Sequence, residues 1–335
     1  MSDTSADPLA RVEAAGADLA RARGEIAKRI VGQDKVIELA LTAILSGGHA
    51  LLVGVPGLAK TRLVETLGTV LGLDSNRIQF TPDLMPADIL GAEVLETGVD
   101  GSRVFKFIPG PIFTRLLMAD EINRASPRTQ SALLQAMQEK SVTVAGEHRV
   151  LARPFHVLAT QNPIEQEGTY PLPEAQLDRF MLQIDVDYPT LDEEREILLS
   201  TTGADEAEAA PVFDPERLIA LQRLVREMPV GERVIDAILQ IVRSARPGEE
   251  GASAVANDRL AFGPGPRAAQ SLMLAIRARA LLQGRLAPTI EDVIALTPPA
   301  LTHRMALTFA ARAEGASVSA VIAELMEGQR LEAAA

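Results

Sequence analysis

The chain has 335 residues, of which 47% are hydrophobic, and a formal net charge of −12. The length and apolar content predict two domains with real cores, while the acidic balance argues against duplex nucleic acid, whose binding needs a basic surface. The lack of cysteine excludes a disulfide framework and a thiolate metal site, and no apolar run is long enough to insert into a membrane.

The N-terminal residues 1–10 are polar and lack the basic-then-apolar layout of a secretion signal. We predict a flexible tail there and a cytoplasmic location for the protein, which also suits a chain without cysteine. The four histidines are scattered along the sequence, so a histidine metal site is not expected.

A glycine-rich loop follows the first strand pattern, Ala50–Val53, and precedes an amphipathic helix pattern. A loop between a strand and a helix N-terminus can present backbone N–H groups to a polyphosphate, whereas a turn without those flanks is often only a loop. We expect Lys60 to reach the β- and γ-phosphates and Thr61 to hold Mg²⁺. Ala59 replaces the usual glycine before the lysine, and its methyl group is small. The predicted nucleotide-binding residues are Gly54, Val55, Pro56, Gly57, Leu58, Ala59, Lys60, Thr61 and Arg62.

Two adjacent carboxylates end a second apolar run, at Asp120 and Glu121. This pattern predicts a buried parallel strand that delivers both acids at its carboxyl end. We expect Asp120 to hold Mg²⁺ and Glu121 to orient and deprotonate the attacking water, which favours hydrolysis over transfer to another substrate. An acidic pair can also simply end a strand in solvent, but the upstream phosphate-binding loop favours the catalytic interpretation.

Helical and strand patterns alternate up to about residue 188, which predicts a parallel sheet covered by helices. Further strand patterns occur at residues 77–80, 155–160 and 181–186, and Ser126-Pro127 is a helix start. Two β-hairpins are predicted as well, one over residues 93–107 around Asp100-Gly101 and one over residues 141–151 around Gly146.

Past Pro189 the patterns become helical, and Thr289 with Asp292 is typical of a helix N-terminus. The predicted domains are therefore a nucleotide-binding core over residues 11–188 and a helical domain over residues 189–335.

Three segments together resemble the MoxR family of AAA+ ATPases. They are the loop at residues 54–61, the segment Ala119-Asp120-Glu121-Ile122-Asn123-Arg124-Ala125, and the stretch 159–180 with Gln161-Asn162-Pro163 and Leu177-Asp178-Arg179-Phe180. The resemblance implies an α/β fold, namely an AAA+ P-loop NTPase core with a C-terminal all-α lid domain. It also implies Mg²⁺-dependent ATP hydrolysis in a homo-oligomeric ring, with a hexamer as the expected size. The hairpins would be the helix-2 insert and the pre-sensor-1 hairpin of that family.

The resemblance also assigns roles outside the loop. Asn162 would be sensor 1, in contact with the γ-phosphate and the water. Arg179 would be the arginine finger that meets a neighbour's nucleotide, the alternative being a structural pair with Asp178 or Glu174. Arg267 would be sensor 2, for its own subunit or for a neighbour, although Gly265 stands where the family more often has serine. Val31-Gly32 would lie beside the adenine or else only end a helix.

By the same resemblance the function would be that of a chaperone that remodels or matures client protein complexes, often with a von Willebrand factor A domain partner. A nucleotide-gated assembly scaffold with negligible turnover is a second hypothesis. A nucleic-acid motor ranks last, because the second hairpin carries only one acid and one arginine near its tip, at Glu147 and Arg149. Intact Lys60, Asp120, Glu121 and Arg179 disfavour the scaffold and favour hydrolysis.

Overall fold

The computed structural model describes residues 8–97, 103–164, 168–202 and 207–328. Its strands are β1 Ala50–Val53, β2 Ser75–Gln79, β3 Gly91–Thr97, β4 Arg103–Pro109, β5 Leu116–Asp120, β6 Ser141–Val144, β7 Glu147–Val150, β8 His156–Gln161, β9 Leu182–Asp185, β10 Leu260–Phe262 and β11 Ala306–Leu307. Its α-helices are α1 Pro8–Ala27, α2 Asp34–Leu45, α3 Lys60–Leu71, α4 Pro86–Leu90, α5 Pro127–Glu139, α6 Glu174–Leu177, α7 Leu191–Thr201, α8 Pro215–Glu227, α9 Glu232–Ser244, α10 Ala254–Arg259, α11 Pro266–Leu282, α12 Ile290–Leu301, α13 Phe309–Ala313 and α14 Val318–Gly328.

Five strands form the central sheet, in the order β2-β5-β8-β1-β9, and all of its pairings are parallel. Strand β5 is buried on both faces, as is typical of a parallel sheet covered by helices. Its buried residues are Leu116, Leu117, Met118 and Ala119. The predicted parallel sheet is confirmed, and each of its strands falls within two residues of the predicted segment.

This strand order fixes the position of the site. Strand β8 lies between β1 and β5, so the loops that leave the carboxyl ends of these three strands emerge side by side. In open parallel sheets ligands bind in the crevice at such strand ends. The loop at 54–59 follows β1, Asp120 ends β5, and Asn162 follows β8.

Two hydrophobic clusters cover the two faces of the sheet. One contains the inner faces of α5 and the β6–β7 hairpin with Phe80 and Phe180. The other contains Leu52 and Leu182 from the sheet and continues without a break into the C-terminal helices, through residues such as Leu272. The helical part therefore packs on the core as one apolar unit.

Both predicted hairpins are present. In the first, β3 pairs antiparallel with β4, with Glu93 opposite Phe107, while its predicted turn at Asp100-Gly101 lies outside the described residues. In the second, Ala145 and Gly146 form the turn between β6 and β7, both with positive φ. Arg149 of this hairpin forms an ion pair with Glu147 at 2.6 Å. Its guanidinium carbon lies 3.8 Å from the centre of the Phe107 ring.

The C-terminal region is a helical lid, as predicted, and contains one short antiparallel pair, β10 with β11, too short to leave a sequence pattern. Thr289 and Asp292 form the expected capping box at the start of α12. One boundary needs correction: α1 begins at Pro8, so the last three residues of the predicted tail are helical, while residues 1–7 lie outside the described part. Among the described helices, none combines the length and apolar content needed to cross a bilayer.

Candidate functional site

A cleft of about 440 Å³ opens at the carboxyl edge of the sheet, between the loop at 54–59 and the ends of β5 and β8. The loop needs glycine at two places for different reasons. A Cβ on Gly54 would lie 2.5 Å from the carbonyl oxygen of Val186, so only glycine lets the ends of β1 and β9 approach. Gly57 has φ +87°, a conformation that strains other residues.

The backbone conformation of Ala59 shows how the loop keeps its shape without the usual glycine. It is the residue before α3, and its φ of 53° and ψ of 20° place it in the left-handed region. Alanine can occupy this region at a cost of roughly 1–2 kcal/mol, whereas a bulkier β-branched residue would cost more. The backbone turn that aims the N-terminus of α3 at the cleft is therefore preserved.

Lys60 is half-buried at the start of α3 and lines the cleft. Its ammonium group donates to the carbonyl oxygens of Gly54 and Val55, the latter at 3.2 Å. Burial lowers the pKa of Lys60, and the negative charges of Asp120 and Glu121 oppose that shift. A cation that is held by neutral carbonyl oxygens at the start of a helix is suited to a polyphosphate.

The two acids are held in different orientations. Glu121 has φ 54°, so the chain turns sharply after β5. Thr160 on β8 links them: its hydroxyl accepts from the backbone N–H of Glu121 at 2.8 Å and donates to Asp120 Oδ1 at 2.5 Å. Thr160 is only 1% exposed, so this connection is shielded from water.

Each carboxylate has further partners. Arg77 on β2 contacts Asp120 Oδ2 at 2.5 Å. Gln79, two residues along the same strand, donates to Glu121 Oε2 at 2.8 Å, and Arg124 contacts the same oxygen at 2.9 Å. The side chain of Glu121 is thus held at the edge of the cleft by two donors.

The residues present fit a Mg²⁺–nucleotide complex. Thr61 and Asp120 supply hard oxygen ligands to the same cleft. Within the described residues there is no group of three or more His, Cys, Asp or Glu that could hold a metal ion. Two oxygen ligands, from Thr61 and Asp120, suit Mg²⁺, which is usually bound through one or two protein oxygens, water and substrate phosphates.

Comparisons with known proteins agree with this geometry. Residues 49–182 match the ATPase family associated with various cellular activities (AAA), and residues 252–325 match the AAA lid domain. The chain is 42% identical to chaperone MoxR1 of Mycobacterium tuberculosis, over 92% of this chain and 81% of that protein. It is 34% identical to protein MoxR of Methylorubrum extorquens, over 86% and 87% of the two chains.

The chain belongs to the MoxR family of AAA+ ATPases. A solved structure of a candidate ATPase from Cytophaga hutchinsonii supports the same fold, with a TM-score of 0.87, 35% identity and 97% of each chain covered.

The site of this MoxR-family chain extends to a second cavity of about 350 Å³ beside the loop. Its lining is mostly apolar and includes Ile30, Val31, Tyr188 and Ile197, which makes it suitable for a flat base. Gln33 connects the segment 30–33 to the phosphate-binding loop by donating to the carbonyl oxygen of Leu58 at 3.1 Å.

Val31 lines this cavity, whereas Gly32 lies outside it. Gly32 has φ +71° and lies against the side chain of Glu193 on α7. Its function in this structure is to allow the turn and the close approach of α7.

Asn162 lines the first cleft together with Lys60, Thr61, Arg62 and Glu121. Its side-chain oxygen accepts from the backbone N–H of Ile164 at 3.1 Å, which fixes the orientation of the amide. The structure therefore brings together the predicted residues that follow β1, β5 and β8.

Arg179 and Arg267 lie elsewhere. They line a separate cavity of about 270 Å³ together with Gly48 and His49, which precede β1. This cavity is at the amino edge of the sheet, and a four-residue strand spans ~13 Å, so the phosphate-binding loop lies at the far end. The two arginines share no lining residue with the nucleotide cleft.

The suggested pairing of Arg179 with Asp178 is not observed. The carboxylate of Asp178 contacts Arg304 at 2.7 Å and Arg267 at 3.7 Å. The Nε of Arg179 is buried and has no hydrogen-bond partner among the described residues.

Sequence reasoning missed Thr160, Arg77 and Gln79. The signal for the last two was present, because residues two apart on a strand share a face and Arg77 and Gln79 flank the buried Ile78. Their relevance depends on β2 lying next to β5, which no local pattern contains.

Proposed function

We propose that this protein is a Mg²⁺-dependent ATPase that assembles into a ring and acts as a chaperone on client proteins. The observation that carries the proposal is the convergence of Lys60, Thr61, Asp120, Glu121 and Asn162 on one cleft at the carboxyl edge of the sheet. Phosphoryl transfer to water requires a cation that contacts the phosphates, a carboxylate that accepts a proton from the water, and a group that orients this water. Lys60, Glu121 and Asn162 would supply them.

The proposed chemistry assigns one task to each side chain. Lys60 gives up its bonds to the loop carbonyls and contacts the β- and γ-phosphates. Glu121 accepts a proton from the attacking water, and Asn162 orients that water against the γ-phosphate. Bound Mg²⁺, held by Thr61 and Asp120, would neutralise charge on the phosphate oxygens.

Arg179 and Arg267 are proposed to act on the nucleotide of the next subunit. Their separation from the cleft across the sheet supports this arrangement, because neither side chain shares the cavity of its own subunit's P-loop. A positive charge that reaches the γ-phosphate from a neighbour would stabilise the transition state only in an assembled ring.

The chaperone activity is proposed from the relatives. The mycobacterial relative is named a chaperone, and MoxR-family resemblance points to a von Willebrand factor A domain protein as partner. Affinity capture with a purified protein of that class, with and without ATP, tests this step. Capture that is equal for the Lys60→Ala variant would contradict a nucleotide-dependent partnership.

A nucleotide-gated scaffold is the second candidate. The observation in its favour is that Gln79 and Arg124 hold Glu121, while Arg77 holds Asp120, so both carboxylates are engaged. Phosphate release separates the two functions. The ATPase proposal expects steady turnover that is lost in Lys60→Ala, whereas tight ATP binding with negligible release would favour the scaffold.

A further inference from the structure

Helix α7 is packed weakly, with only Glu193 and Ile197 half-buried. None of its residues is buried, and Leu191, Leu198 and Leu199 are 82%, 58% and 74% exposed. The other described helices of comparable or greater length all bury apolar residues. Because a helix of this length is marginal in water without tertiary packing, leucines left in solvent indicate a surface that another molecule covers.

A groove of suitable character lies on the lid. It is a cavity of about 450 Å³ between α9 and α11, lined by apolar side chains with Arg226 and Gln270 as the polar members. The apolar lining includes Ile235, Leu239 and Met273, and Leu239 is 47% exposed. A groove between two helices that is open to solvent fits a third helix.

The two surfaces carry opposite charge. Helix α7 has Asp192, Glu194 and Glu196 exposed, with Arg195 as its one basic residue. On the lid, Arg226 lines the groove, and Arg277 of α11 lies near Arg226. Lys140, at the end of α5 in the core, also lies near Arg226.

Lys140, Arg226 and Arg277 repel one another. Burial, followed by the charges of Arg153 and Arg226, lowers the pKa of Lys140. Burial and then Arg226 lower the pKa of Arg277. Lys140, Arg226 and Arg277 form no ion pair with any part of the chain that the structure describes, so acids from another chain would relieve their mutual repulsion.

Each surface also adjoins the half of the ATPase site that its subunit would contribute. On one subunit, Glu194, Ile197 and Leu198 of α7 line the apolar cavity beside the P-loop. On the lid, Gln270 and Leu274 line both the groove and the cavity that holds Arg179 and Arg267. When those arginines approach a neighbour's nucleotide, the groove approaches the neighbour's α7.

We propose that α7 of one subunit packs into the α9–α11 groove of the next subunit in the ring. The leucines of α7 would fill the groove, and its acids would meet Arg226 and Arg277. This inference rests on the proposed trans arrangement of Arg179 and Arg267. It makes assembly depend on nucleotide, because the base would contact the inner side of the helix that docks.

Cysteine cross-linking tests the contact without background, since the chain has no cysteine. Leu199→Cys and Leu239→Cys are made in separate copies that also carry Glu121→Gln, mixed with ATP and Mg²⁺, and treated with a short bismaleimide. We expect a covalent dimer from the mixture. The matched control replaces Leu239→Cys by Leu286→Cys, a leucine that is 45% exposed but outside the groove, and should give several-fold less dimer.

Light scattering on the same samples separates the outcomes. Rings that form without dimer above the Leu286→Cys control overturn this contact and leave the proposed function standing. Failure to form rings in any nucleotide state overturns both. As an independent measure, Leu239→Asp should weaken ring assembly and Leu286→Asp should not; equal assembly by the two variants also overturns the contact.

Discussion

At the scale of single residues, Asp120 and Glu121 are held by different partners although they are adjacent in the chain. Glu121 has a positive φ, so the chain turns directly after Asp120, and the hydroxyl of Thr160 accepts from the backbone N–H of Glu121 and donates to the Asp120 carboxylate. The acid that is suited to a metal and the acid that is suited to a water are thereby separated within one dipeptide.

Glu121→Gln should leave ATP affinity within a few-fold of wild type and lower phosphate release by at least ~10²-fold, because an amide cannot accept the proton. Nucleotide titration and steady-state release measure the two effects. Glu65→Gln, the same charge change at an exposed position on α3, is the control and should keep full turnover. Near-normal release by the Glu121 variant would remove this residue from the mechanism.

Thr160→Val should lower kcat by ~10- to 100-fold with little change in ATP affinity, since the Asp120 carboxylate loses a donor and the backbone N–H of Glu121 loses its acceptor. Thr160→Ser keeps the hydroxyl and should recover most of the rate. A Ser variant as slow as the Val variant would show that packing of the methyl group, and not the two hydrogen bonds, sets the geometry.

At the scale of elements, Arg304 joins the lid to the segment that carries Arg179. Its guanidinium is 2% exposed and donates to Asp178 Oδ1 at 2.7 Å, to the carbonyl oxygen of Phe180 at 2.7 Å and to that of Met181 at 3.1 Å. The lid therefore fixes the start of β9 and, with it, the proposed arginine finger.

Arg304→Met should destabilise the fold by ~2–4 kcal/mol, because it leaves two carbonyl groups and the half-buried Asp178 carboxylate without this partner. Arg312→Met, which removes only bonds from an exposed arginine to the Leu307 carbonyl, should cost less than ~1 kcal/mol. Urea unfolding of both variants measures the difference. Equal midpoints would contradict a structural role for Arg304.

The sequence contained enough local information to predict these elements but not their partners. Asp100-Gly101 and Gly146 identified both hairpins because turn chemistry is local, and Glu93 does pair opposite Phe107. The position of Gln79 beside Glu121 depends on strand order. So does the distance of Arg179 from the P-loop, since a residue before β9 emerges at the opposite edge of the sheet from one after β1.

At the scale of the whole molecule, three buried histidines link stability to pH. Burial is the largest cause that lowers the pKa of His49 and His303 to about 3 and that of His156 to about 4. Val157 N–H donates to His49 Nδ1, and Gln222 donates to His156 Nε2, so each of these rings accepts as a neutral imidazole.

Because these folded-state pKa values lie below the unfolded value of about 6.5, the unfolded chain takes up the protons first as pH falls. Stability should be retained above pH ~6.5 and fall below it by up to ~4 kcal/mol per pH unit from the three groups together. Urea unfolding at several pH values measures this slope. His156→Gln should reduce it by ~1.4 kcal/mol per unit, whereas His148→Gln, at an exposed position on β7, should leave it unchanged.

In the proposed ring the catalytic groups would come from two subunits, because Lys60 lies at one edge of the sheet and Arg179 at the other. A Lys60→Ala subunit would have an inactive cleft but an intact finger, and an Arg179→Ala subunit the reverse. Only a mixed ring would contain an intact cleft that faces an intact finger.

Phosphate release from the two variants, separately and after subunit exchange, tests this division most directly. We expect each variant alone to hydrolyse ATP poorly and the mixture to recover part of the wild-type rate, since an arginine finger contributes ~10³ to 10⁵ in rate. Doping wild-type rings with each variant controls for cooperativity around the ring. If verified mixed rings stay inactive while doped wild-type rings tolerate either variant, Arg179 does not act on the neighbour's nucleotide.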